Sequence, residues 1–283
     1  MQKHDPNPTS ASMLLCDIDG TLLQRVKGPG LFMEYWKGYA NRKQTILVYN
    51  TGRPLEFVLQ KVADGELFPA MMVIANQGAN IYCGDSLWSP WVQYMAANGY
   101  TMELLDHMEE VVRGCDISPC QVQVERCDFS LRWWIKGGSS LEQCASTYML
   151  VCNALPLSPS YWLNVYTLQE IQEQFEEWYQ EWGICCEVYS DIVKESKAPA
   201  AEFVERRITD QGEKPFLVMW AGDGKNDMHM IKTTFKGIVV NNAHPALKEA
   251  CRQDGQRDRI FLALSDGENG VIEGLQYWDP CHE

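Results

Sequence analysis

Residues 13–23 read MLLCDIDGTLL, an apolar run closed by two aspartates, Asp17 and Asp19, and a turn at Gly20. Residues 13–16 predict a buried strand, and glycine is the residue that lets a chain turn sharply where a strand ends. With strand alternation, Asp17 and Asp19 point to one face. Two carboxylates so placed repel each other unless one is protonated or a cation lies between them. In open parallel sheets ligands gather at the carboxyl ends of strands, which is where this pair stands. Aspartate and glycine are also ordinary turn residues, so the rest of the chain decides between the two readings.

Working outward, bulky residues at 31–40 recur at helical spacing, and TILVYN at 45–50 predicts a second buried strand. It ends in Thr51-Gly52-Arg53-Pro54, with the proline suited to the first turn of a helix carrying Phe57, Val58 and Val62. Residues 71–75 predict a third strand and 78–83 a short hairpin back. Apolar strands alternating with helices signal a parallel sheet with helices on its faces. From Trp88 to Tyr189 the pattern changes. Trp88, Trp91, Trp133, Trp134, Trp162, Trp178 and Trp182 all lie there, and 121–124 and 130–135 read as strands with one solvated face. Leu168, Ile171, Phe175, Trp178 and Trp182 predict a helix over 168–182, opened by Thr167 with Glu170 and stopped by Gly183. Residues 141–159 read as a helix followed by a Pro/Ser loop, and 185–189 as a strand. After Asp191 the first pattern resumes. It gives a helix at 200–208, a strand at 216–221, a helix from 227, and a strand at 237–240. A helix at 245–252, a strand at 260–264 and a last helix at 269–278 follow. The expected fold class is α/β, a Rossmann-like parallel-sheet core formed by 1–87 and 190–283, with 88–189 inserted as an α+β domain.

Charge narrows the partners. A formal net charge of -14 repels nucleic acid and anionic membrane, so an anionic substrate has to be received locally, by a metal or a few basic groups. Eleven cysteines, with Cys185 and Cys186 adjacent and no pair of C-x-x-C motifs, favour reduced thiols over a disulfide framework or a zinc site. The opening MQKHDPNPTSAS has no apolar signal region and no run reaches membrane-spanning length. The expectation is a cytoplasmic protein; no protein partner is readable.

Four polar signatures stand where strands end or helices begin: Asp17 to Thr21, Thr51-Gly52-Arg53, Lys197, and Gly222-Asp223-Gly224-Lys225-Asn226-Asp227. Together they describe phosphoryl transfer. A carboxylate can serve as a covalent nucleophile, a hydroxyl beside backbone N–H groups can hold phosphate oxygens, and a lysine offers a point charge to the developing anion. Asp17, Asp19, Asp223 and Asp227 are too much negative charge for one crevice without a divalent cation. An all-oxygen shell shared with substrate phosphate suits Mg²⁺.

In this order the motifs resemble those of the haloacid dehalogenase superfamily of aspartate-nucleophile phosphatases, in the subclass with an α+β cap. Asn76 to Tyr82, Gly237 to Ala243, Ile260 to Ala263 and Gly270 to Leu275 are similar to the sucrose-phosphate phosphatases; the region 88–189 follows them poorly. The resemblance implies Asp17 as nucleophile and Asp19 as general acid, then base. It implies Thr51, Gly52 and Lys197 holding the phosphoryl group, with Asn226 orienting it or the neighbouring loop. Mg²⁺ would lie on Asp17, the carbonyl of Asp19, and Asp223, with Asp227 in support, and the substrate would be a phosphorylated sugar. Lys194 competes with Lys197 for its role, but Lys197 opens a helix, where a Ser196 N-cap would fix it. Arg53 pairs either with a core carboxylate or with substrate, and Lys225 faces solvent or the cap–core seam. His229 and His244 stand isolated, suited to a helix surface or a hinge. Of the adjacent Trp133 and Trp134 one should face outward, where a sugar could stack. A phosphosugar mutase of the same superfamily and a catalytically idle sugar-sensing or docking module are the alternative functions. The compact 222–227 motif argues against the first and the intact aspartates against the second.

Overall fold

The computed structural model describes residues 12–24, 30–43, 45–115, 120–136, 151, 154–155, 161–167, 182–190, 192–193, 196–210, 217–253 and 258–279. These divide into two compact units, residues 1–91 with 196–283, and residues 92–195.

The first unit is built on a sheet whose strands are β1 (Ser12–Cys16), β2 (Thr45–Asn50), β3 (Met72–Ala75), β4 (Asn80–Cys83), β5 (Ser86–Leu87), β10 (Leu217–Gly222), β11 (Lys236–Val239) and β12 (Ile260–Leu262). Their order is β12-β11-β10-β1-β2-β3-β4-β5, parallel from β12 to β3 and antiparallel beyond. Every residue of β1 and β2 is buried, which is why these strands read as continuous apolar runs rather than alternating ones. The chain leaves β1 toward β2 on one side, and β10 joins β1 on the other. Here the strand order reverses and a crevice opens at the carboxyl edge. The Asp17 N–H donates to the Ala221 carbonyl at 2.9 Å, fastening the ends of β1 and β10 together.

Helices α1 (Leu31–Lys43), α2 (Leu55–Ala63), α5 (Lys197–Thr209), α6 (Pro245–Arg252) and α7 (Gly267–Trp278) belong to this unit. Ser196 caps α5, its hydroxyl accepting from the Ala198 N–H at 3.3 Å. His244 caps α6 through Nδ1, which accepts from the Ala246 N–H at 3.1 Å. The helix expected from 227 is instead a 3-10 helix, Lys225–Lys232. Asp227 turns its carboxylate back onto the loop before it, and the tighter pitch suits a short connector.

The second unit holds α4 (Met102–Gly114) and an antiparallel sheet of β6 (Gln121–Cys127), β7 (Ser130–Lys136), β8 (Tyr161–Thr167) and β9 (Trp182–Ser190), ordered β6-β7-β9-β8. Helix α3 (Ser89–Ala97) crosses the division between units, because Trp91 packs in the first. Its indole donates to the Ala79 carbonyl at 2.9 Å and lies edge-on to Phe203. Two expectations are corrected. Trp182 opens β9, paired with Lys136, rather than closing a helix. Trp133 and Trp134 are 0% and 5% exposed, so neither faces outward and neither offers a stacking platform. Residues 168–181 of the expected helix, Lys194, and most of the 141–159 segment lie outside the described residues.

Candidate active site

At the carboxyl edge, Asp17 follows β1, Thr51 follows β2 and Asp223 follows β10, while Lys197 is the first residue of α5. Lys197 has no exposed surface. Its ammonium lies 2.6 Å from Asp17 Oδ1 and 2.9 Å from Asp227 Oδ1. Lys197, which opens a helix, therefore reaches two carboxylates. Thr21 Oγ1 is 3.2 Å from both Asp17 Oδ2 and Asp223 Oδ1, so its single proton is shared between two acceptors. Asp227 Oδ2 accepts from the backbone N–H groups of Asp223 and Gly224 at 3.1 and 3.0 Å. Both Asp227 oxygens are therefore engaged in holding the lysine and the loop. The His244 N–H in turn donates to the Asp223 carbonyl at 2.8 Å.

Gly20 is demanded twice. Its φ is 75°, and a Cβ there would stand 2.1 Å from Asp223 Oδ2. A side chain would strain the turn and drive a carboxylate out of the crevice. The Gly20 carbonyl accepts from Asn242 Nδ2 at 2.7 Å, and Asn242 Oδ1 accepts from the Gly267 N–H at 2.8 Å. Asn242, which the sequence placed only in a closing pattern, thus braces the first loop against α7.

Asp19 sits apart from this cluster. Arg53 Nε and its terminal amino group donate to the two Asp19 oxygens, both at 2.9 Å, in a bidentate pair, and the guanidinium lies over the Phe57 ring. Of the two partners expected for Arg53, the structure shows a carboxylate, Asp19. Thr51 is fully buried, and its hydroxyl accepts from the Arg53 N–H at 3.1 Å. Among the described residues the Thr51 hydroxyl proton has no acceptor. Gly52 and Asn226 both meet Gln77, a residue that sequence reasoning passed over as part of a hairpin. Lys225 is exposed.

Among the described residues one oxygen each from Asp17, Asp223 and Asp227 lie within 4.8 Å of one another. Burial pushes the Asp17 carboxyl well above the ordinary range, with Lys197 opposing and the charges of Asp227 and Asp223 adding to it. Burial and then the Asp227 charge push Asp223 up to about 6. Burial alone would lower Lys197, but the charges of Asp17 and Asp227 outweigh it and hold the ammonium well above its usual range. One positive charge against three carboxylates leaves the cluster with an excess that a hard divalent cation would neutralise, and the donors are all oxygen, as Mg²⁺ requires. The residues present fit such an ion.

The fold is that of the haloacid dehalogenase superfamily. A model of the sucrose-6F-phosphate phosphohydrolase family matches residues 10–135 and 155–279, and the chain belongs to that family. Among curated proteins it is similar to glucosylglycerol-phosphate synthase of Pseudomonas anguilliseptica, with 23% identity over 277 residues, 94% of this chain and 30% of that protein. Mannosylfructose-phosphate phosphatase of Agrobacterium fabrum is 39% identical over 59 residues, 20% of this chain and 23% of that protein. The matches thus span under a third of either relative's length. The sucrose-phosphatase of Synechocystis sp. PCC6803, solved with sucrose and phosphate, superposes with a TM-score of 0.60 at 17% identity. That superposition covers 95% of this chain and 98% of the other.

Proposed function

We propose that this protein is a Mg²⁺-dependent phosphatase that hydrolyses the phosphate ester of a sugar, of the sucrose-6-phosphate kind, through an aspartyl phosphate on Asp17. The observation that carries this is the division of the two first-loop carboxylates. Asp17 is buried against Lys197 and Thr21, and Asp19 is held outside that cluster by Arg53. Asp17 attacks phosphorus, the bond from phosphorus to the sugar oxygen breaks, and Asp19, once protonated and released from Arg53, gives its proton to that oxygen. Asp19 then takes a proton from water, whose oxygen attacks the aspartyl phosphate; inorganic phosphate leaves and Asp17 is restored. Lys197 and the Thr51 hydroxyl hold phosphoryl oxygens as charge builds on them, with the Gly52 loop and Asn226 alongside. Asp17, Asp223 and the carbonyl of Asp19 would hold Mg²⁺, while Asp227 keeps the loop and the lysine in place. The ion would supply charge neutralisation that lets a phosphate approach three carboxylates. Family membership and the relatives named above support a sugar ester as substrate; on this reading the second unit, 92–195, selects it.

A second reading, prompted by the match to a synthase, is that the chain serves as a docking module with little turnover of its own. One experiment separates the two. Phosphate release is measured from sucrose-6-phosphate and other glycosyl phosphates, with and without Mg²⁺, for the wild type and Asp17→Asn. Release that needs Mg²⁺ and vanishes in Asp17→Asn supports the phosphatase. No release from any ester favours the docking role, and release surviving in Asp17→Asn removes Asp17 as nucleophile.

A further inference from the structure

Gln77 follows β3 in a turn where two non-glycine residues in succession, Asn76 and Gln77, hold φ angles of 50° and 56°. Side chains disfavour this left-handed region, and such strain persists only where the surroundings over-determine it. Two backbone bonds do so here. The Asn76 N–H donates to the Arg53 carbonyl at 3.1 Å and the Gln77 N–H to the Thr51 carbonyl at 3.2 Å. The turn therefore backs the loop Thr51-Gly52-Arg53 from behind, while the Gln77 side chain reaches round its front. Gln77 Oε1 accepts from Asn226 Nδ2 at 3.3 Å, and Nε2 stands 2.5 Å from where a Cβ on Gly52 would lie. Gly52 has no positive φ. The Gln77 amide, and not backbone conformation, is what a side chain at 52 would displace.

We infer that Gln77 is a positioning residue: its amide spans the Gly52 loop and the Asn226 loop and sets the spacing in which phosphoryl oxygens are received. This rests on the reading that those loops line a phosphate site. It also gives Gly52 a different reason from the one its sequence context suggested. Glycine there makes room for Gln77, so the two residues should act as one unit.

The test uses the full chain with Mg²⁺, with inorganic phosphate as probe. Its binding is followed by calorimetry and by its inhibition of p-nitrophenyl phosphate hydrolysis. Gln77→Gly relieves the positive φ, so its melting temperature should equal or exceed that of the wild type. Its phosphate affinity should nonetheless fall about tenfold, the upper worth of the lost bond to Asn226, with KM rising more than kcat falls. Gln77→Glu keeps the acceptor facing Asn226 but puts an anion over Gly52, and should weaken phosphate at least as much. Gln77→Asn keeps an amide in a residue type that tolerates positive φ and should recover part of the affinity. Gly52→Ala should weaken phosphate in the wild type but add little in Gln77→Gly, as expected of coupled neighbours. Affinity within about twofold of wild type in Gln77→Gly overturns the inference. Equal losses from Gly52→Ala in both backgrounds do the same, and so does a marked drop in melting temperature for Gln77→Gly. Failure of the functional reading looks different: wild-type protein that neither hydrolyses esters nor binds phosphate overturns both.

Discussion

Replacing Lys197 with methionine keeps the bulk of a fully buried side chain and removes the charge between Asp17 and Asp227. Each lost hydrogen bond to a charged group is worth roughly 1.5–3 kcal/mol net. Removing one partner of a buried ion cluster costs about 3–5 kcal/mol, because the charges left behind are uncompensated. We expect Lys197→Met to lose about 3–5 kcal/mol of unfolding free energy near pH 7.5 in the presence of a chelator. The loss depends on pH in a fixed direction. Lys197 is a main influence lowering the Asp17 carboxyl, which burial already raises. Without it the folded-state pKa climbs further above the unfolded value of about 4. A carboxyl raised in this way destabilises the fold wherever the unfolded chain would ionise it. The penalty therefore grows as pH rises through that window and shrinks on return toward about pH 5. Urea unfolding followed by tryptophan fluorescence near pH 7.5 and 5 measures both. Adding Asp17→Asn to Lys197→Met should recover about 1 kcal/mol or more, since it removes one stranded charge. A loss under about 1 kcal/mol near pH 7.5, or the same loss at both pH values, would refute the reasoning.

Three further outcomes are expected. Gly20→Ala, strained at φ 75° and placing Cβ 2.1 Å from an Asp223 oxygen, should lose about 1–3 kcal/mol in thermal melts and most phosphate release; a fully active variant contradicts the close approach. Asp223 has a folded pKa of about 6 against an unfolded value of about 4, so without metal its contribution to stability falls as pH rises from about 4 to 6. Mg²⁺ should accordingly raise the melting temperature more near pH 7.5 than near pH 5, and an equal rise at both argues against binding by these carboxylates. Arg53→Ala breaks a half-exposed pair and should shift stability by no more than about 1 kcal/mol. It should still slow release from a sugar ester more than from p-nitrophenyl phosphate, whose leaving group needs no proton; equal slowing would detach Arg53 from the Asp19 proton transfer.

Much of this was legible because the core strands bury both faces. Continuous, β-branched apolar runs such as TILVYN suit a covered parallel sheet, and the polar residues after them then fall at its carboxyl edge. Asp17 and Asp223 were readable for that reason, and Lys197 because it opens a helix behind a Ser196 cap. Trp182 was misread because a helix-spaced tryptophan and a strand's first residue look alike where an apolar run meets a glycine. The expectation for Trp133 and Trp134 assumed a sheet with an open face, and burial on both sides of β7 leaves no alternation for a pattern to show. Gln77 and Asn242 were out of reach for another cause. Each works through contacts 25 to 222 residues away in sequence, and a lone amide in a turn carries no periodic signal.

The charge arrangement ties these residues to one problem. A chain of net charge -14 places Asp17, Asp223 and Asp227 round a single buried ammonium, so a phosphate dianion entering alone meets a cluster of its own sign. Burial raises the Asp17 and Asp223 carboxyls, and the neighbouring carboxylate charges add to that rise. On the proposed reading a divalent cation removes both difficulties, and its affinity and that of phosphate must then rise together by one common factor, since coupling between two bound ligands is reciprocal. Asp227 is what keeps this arrangement from collapsing. With one oxygen on Lys197 and the other on two backbone N–H groups, it spends its charge inside the protein. The ionised oxygens that face the crevice are left to Asp17 and Asp223.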